Sequence, residues 1–116
     1  MRRVALYIFL VAIILSGCIG RTRDRLSVGC QRGEHNDCLT LGLMALKGQD
    51  GRKDPQKALK NLVRSCELGN SIGCKRAGDM WENGVLGCKD PRKAEMYHQM
   101  ARELELDELR VGKSRP

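Results

Sequence analysis

The residues with the most chemical potential in this 116-residue chain are six cysteines, at 18, 30, 38, 66, 74 and 88, and two histidines, His35 and His98. Cys30 and Cys38 are eight positions apart, as are Cys66 and Cys74, and the second pair follows the first by 36. Sulfur can hold zinc or form disulfides. Zinc sites favour cysteines two to four residues apart with histidines nearby, and neither histidine is arranged with the pairs. We therefore expect two disulfides, Cys30–Cys38 and Cys66–Cys74, no metal and no cofactor. No catalytic residue can be nominated. Each histidine has only a generic acidic neighbourhood, which defines no Ser-His-Asp set, and two isolated histidines make no metallo-hydrolase site. His35, in a turn, and His98, on a helix, read as surface or packing residues.

The elements that position these sulfurs follow from a gapless repeat. Laying residues 30–65 on 66–101 makes twelve of 36 positions coincide, among them Gly33/Gly69, Gly42/Gly78, Gly48/Gly84, Asp54/Asp90 and Pro55/Pro91. Matching punctuation sets matching element boundaries. Asp54-Pro55 is an N-cap followed by Pro at the first helical position, where a missing N–H costs nothing. Ala58, Leu59, Leu62, Val63 and Cys66 then recur at helical spacing, and Gly69 follows as a stop. The companion helix spans about 37–47, and the pair returns at about 72–83 and 91–111. The last helix outruns its repeat with Leu104, Leu106 and Leu109 among acidic residues, as the exposed end of an array requires. The fold class is all-α, a short solenoid of antiparallel hairpins. Each disulfide would join the end of one hairpin to the start of the next.

Disulfides also answer a shortage of core. Without the first seventeen residues, 99 remain, with 18 Leu, Ile and Val and two aromatics, Trp81 and Tyr97. So little apolar material would ordinarily favour disorder.

The amino terminus reads as an address. Arg2-Arg3 precede an apolar run at 4–15, too short to span a bilayer, and small residues follow it. Leu15-Ser16-Gly17-Cys18 resembles the bacterial lipoprotein box, which implies lipidation of Cys18 and cleavage before it. The resulting division is a signal at 1–17, a tether with a partial helix at 18–29, repeats at 30–65 and 66–101, and an extension and tail at 102–116. The expected location is the bacterial cell envelope, at the outer membrane facing the periplasm, with plain secretion as the alternative. Losing Arg2 and Arg3 takes the formal charge from +7 to +5. Arg21, Arg23 and Arg25, just after the anchor, would attract anionic lipid. Nucleic acid is excluded as a partner, because export removes it and no aromatic platform exists for bases. Cys88 is left over, either as a small apolar plug in a turn or as a reactive thiol that would bridge a homodimer.

The repeats carry Leu41-Gly42, Gly48, Asp54 and Lys57-Ala58, then Gly78, Glu82-Asn83-Gly84, Asp90 and Lys93-Ala94. With the cysteine-bearing run at 65–74, this pattern resembles the Sel-one-like repeat family, in its secreted cysteine-rich form, over about 24–102. Departures are Gly51 and Gly87, one place late, and Ala45 where an aromatic is usual. The resemblance implies an adaptor that holds an envelope protein or peptide on a concave face. We expect that face on the first helices, at Thr40, Leu43, Lys47, Arg76, Asp79 and Asn83, residues that otherwise form an ordinary wet surface. It also implies an alternative, β-lactam binding or hydrolysis. Against a serine enzyme of that kind, none of Ser27, Ser65, Ser71 and Ser114 has a Lys three places on. A third reading is an envelope spacer without a specific ligand.

Overall fold

The computed structural model describes residues 2–49 and 52–114, the side chains of 13–21 and 113–114 excepted. The described residues are all-α: α1 (Arg2–Gln31), α2 (His35–Lys47), α3 (Pro55–Glu67), α4 (Ser71–Asn83) and α5 (Pro91–Ser114). Each helix packs on its neighbour in sequence, so the chain stacks α2/α3 and α4/α5 hairpins behind α1. The partial helix expected before Cys30 is the end of α1, a single helix that runs through position 18. Cys18 lies within it, and its side chain falls outside the described residues. Among the described residues, no helix is long and apolar enough to cross a membrane.

Local chemistry explains the boundaries. Asp54 and Asp90 accept from the N–H groups of Lys57 and Lys93, each at 3.1 Å, closing the first turns of α3 and α5. Asn70 does the same for α4 through Ile72 N–H at 3.0 Å. Gly33 and Gly69 end the segments carrying Cys30 and Cys66 with φ of +94° and +99°. A side chain there would strain the backbone, so the two tight inter-hairpin turns need glycine.

These turns bring each helix end back beside the next helix start. Cys30–Cys38 and Cys66–Cys74 are disulfides, with Cα–Cα distances of 4.7 and 4.5 Å. The sequence spacing anticipates both. Cys38, Cys66 and Cys74 are buried, so the bridges also serve as core. A second set of cross-links is polar. Ser65, fully buried, donates its hydroxyl to the His35 carbonyl at 2.9 Å. Asn70 uses its amide nitrogen on His35 Nδ1 at 3.0 Å and on Asn36 Oδ1 at 3.2 Å.

The central core is narrow: Ala45, Ala58, Leu62, Ala77 and Met80, with half-buried Leu39, Leu43, Leu46, Leu59, Val63, Leu86 and Tyr97 against it. Small residues make it possible. A Cβ on Gly42 would lie 2.7 Å from Leu62 Cγ and 3.2 Å from the Ala58 carbonyl. Mid-helix glycine costs about 1 kcal/mol relative to alanine. Close packing of α2 on α3 offsets that cost.

Candidate functional site

A groove of about 730 Å³ lies between α1 and α3, with Leu41 of α2 in its lining. Leu59 and Val63 supply apolar wall, while Lys60 and Arg64 stand exposed at the rim with Glu67. Both α1 and α3 pack on α2, so the groove lies between two helices that are not consecutive. A mostly apolar trough with a few charged rim groups suits a polypeptide segment better than a small polar ligand.

The residues expected to form a binding face lie on α2 and α4. Thr40, Lys47, Arg76 and Asn83 are exposed, and Asp79 is half-buried. Thr40 turns its hydroxyl back to the Asn36 carbonyl at 2.9 Å. Leu43 is half-buried against the central core instead of facing outward. None of the six lines the α1/α3 groove. Cys88 is exposed and unbridged in the turn before α5, so it does not plug an apolar space.

A compact polar cluster appears on the outer part of the last hairpin. His98 of α5 meets Asp79 of α4, with Nε2 3.0 Å from Oδ1. Glu82, one turn after Asp79, completes a group whose ligand atoms all lie within 4.8 Å of one another. His98 and Asp79 are half-buried and Glu82 is exposed. The close fit of α5 on α4 places the imidazole. A Cβ on Gly78 would strike the His98 ring and lie 3.1 Å from the Ala94 carbonyl. One imidazole and two carboxylates are donors suited to a divalent cation. The sequence alone leaves these residues apart, with His98 as a surface or packing residue and Asp79 as a face residue.

Tyr97, beside His98 on α5, has its phenol pKa raised above 10.0 by burial and secondarily by the Glu67 carboxylate. The unfolded chain then ionises first as the pH rises. The stability this residue contributes is therefore fully present below about pH 10 and lost as the pH climbs through its folded value. Melting curves of the protein and of Tyr97→Phe at pH 8 and near pH 11 test this. The native protein should lose more thermal stability between those points than the variant.

Across α4 and α5, Lys93 Nζ sits 4.3 Å from the centroid of the Trp81 ring. Trp81 fills the position that Ala45 holds in the first unit.

No known protein-family pattern matches the chain. Two curated proteins do. The chain is 34% identical over 83 residues to cytochrome c oxidase assembly factor 7A of Xenopus laevis, which covers 71% of this chain and 36% of the relative. It is 32% identical over 85 residues to cytochrome c oxidase assembly factor 7 of Xenopus tropicalis, covering 72% of this chain and 37% of the relative. The chain thus spans about a third of the length of the relatives it matches. The expected leader and tether reach only residue 29, so matches this long rest mainly on the helical body. These relatives overturn the expected function of a lipid-anchored bacterial envelope adaptor, together with its β-lactam alternative. The bacterial outer-membrane placement and the lipoprotein character fall with it, since both proteins are from frogs and are named for assembly of cytochrome c oxidase. The chain is a disulfide-linked stack of helical hairpins similar over most of its length to part of two oxidase assembly factors.

Proposed function

We propose that this chain is an assembly factor for a cytochrome c oxidase-type complex, built from Sel-one-like repeats and holding a partner polypeptide while the complex is put together. The similarity over 83 residues to a protein named for that task carries the reading. The structure supports it in two ways. Stacked hairpins present extended surfaces for polypeptides, and the α1/α3 groove offers an apolar lining of Leu41, Leu59 and Val63 with Lys60, Arg64 and Glu67 at its rim. Such a rim suits a segment that carries acidic residues beside apolar ones. The two disulfides further support a site of action where thiols are oxidised.

The test places a photo-crosslinker at Gln56, on the groove wall, in the full chain and in the Lys60→Glu/Arg64→Glu variant. The native groove should capture a subunit of the oxidase in the source organism, and charge reversal should abolish capture while the fold is kept. Deleting the chain should lower the amount of assembled oxidase. Undiminished oxidase after deletion, with no subunit captured, would refute the proposal.

A further inference from the structure

We propose that Asp79, Glu82 and His98 form a binding site for one divalent first-row transition-metal ion, of which Zn²⁺ is the representative. Three observations converge on it. The ligand atoms already lie within 4.8 Å of one another, with the His98–Asp79 contact at 3.0 Å. Zinc bonds of about 2.0–2.2 Å place tetrahedral ligand atoms roughly 3.3 Å apart, so the set needs to tighten by little more than an ångström, and exposed Glu82 is free to move. The backbone also favours it. Asp79 and Glu82 stand three apart on α4 and so share one face, and Gly78 lets α5 come close enough to lower the imidazole onto that face.

The third observation comes from the repeat register. The positions equivalent to Asp79, Glu82 and His98, 36 residues earlier, are Leu43, Leu46 and Leu62. In the first unit these three leucines pack in the core. In the second, all three positions have become metal-ligand types together. A solvent-facing helix surface needs polar residues, but any polar residue serves that need. A histidine and two carboxylates converging on one point form a donor set that a cation can use.

The donor set selects the metal. Imidazole with carboxylates suits Zn²⁺, Co²⁺ and Ni²⁺, whereas the soft Cu⁺ ion prefers sulfur and Ca²⁺ prefers oxygen alone. Three protein ligands at the surface leave a fourth position to water. Lys75 and Arg102 line the small cavity beside His98, and Arg102 is engaged by Glu95 at 2.8 Å. Nearby positive charge is thus modest against two carboxylates. The site lies on the α4/α5 hairpin, away from the α1/α3 groove, and does not depend on the assembly-factor reading.

The oxidised full chain is titrated with ZnCl₂ by calorimetry and with CoCl₂ by visible absorption. The expected result is one equivalent bound, with cobalt ligand-field bands of nitrogen and oxygen coordination and no sulfur-to-metal charge-transfer band. His98→Ala and Glu82→Gln should each weaken binding by more than about tenfold, since loss of even an outer-shell partner costs about 10–100-fold. Glu82 is exposed, so its variant keeps the fold and decides the matter if His98→Ala does not. Cys88→Ser should bind as the native chain does. No binding, binding indifferent to both ligand substitutions, or binding lost with Cys88→Ser would each overturn the proposal.

Discussion

Reduction of both disulfides should leave the protein largely unfolded at room temperature or melting about 20–40 °C lower. Each bridge closes a loop of eight residues along the chain. Loop-closure entropy assigns roughly 2.5 kcal/mol to a loop of that length, hence about 5 kcal/mol for two. A small domain has only about 5–15 kcal/mol in total, and each kcal/mol moves the midpoint of a domain this size by about 4–8 °C. The effect acts mainly on the unfolded chain. Reduced Cys38, Cys66 and Cys74 would still sit as small apolar groups in buried positions, so few folded-state contacts are lost. Circular dichroism melts with and without dithiothreitol, on a Cys88→Ser background that removes the exposed thiol, give the measurement. A reduced chain that melts within a few degrees of the oxidised one would show that packing, not sulfur, holds the stack.

Leu62→Ala should cost about 3–5 kcal/mol, the upper part of the range for a buried leucine. Leu62 is fully buried and sits at the centre of a cluster whose other members are Ala45, Ala58, Ala77 and Met80. Alanines cannot swing into the space that the lost isobutyl group leaves, and Gly42 has no side chain to offer. The cavity therefore persists, and the midpoint falls by about 12–40 °C. Leu106→Ala is the control. Leu106 is 56% exposed on the outer part of α5, and its replacement should change stability by less than about 0.5 kcal/mol. Equal losses from the two substitutions would mean that the core does not lie where α2, α3 and α4 meet.

Comparison of these sites shows where sequence reasoning reaches and where it stops. Asp54-Pro55 and Asp90-Pro91 announce helix starts because an N-cap acts within three residues, and both caps are present at 3.1 Å. The cysteine pairs are equally legible, since a tight turn between two helix ends leaves sulfurs eight residues apart little choice of partner. Leu43 is different. Helical spacing shows that it lies on a face but not what covers that face, and the central core turns out to cover it. The α1/α3 groove was invisible for the same reason, being a gap between helices that are not consecutive. The His98–Asp79 contact joins residues 19 apart across a hairpin. One clue was available in the repeat register, where three leucines give way to aspartate, glutamate and histidine.

By itself, the order of amino acids determined the helical punctuation, the repeat and the sulfur pairing, because caps, turns and short loops act through neighbours along the chain. Tertiary structure alone decided which faces meet, and so created the charge-rimmed groove and gathered one imidazole with two carboxylates. The physical reason is that helix periodicity specifies a direction around an axis, whereas a site depends on the distance between axes. Here that distance is set by glycines and alanines small enough to let the helices come together.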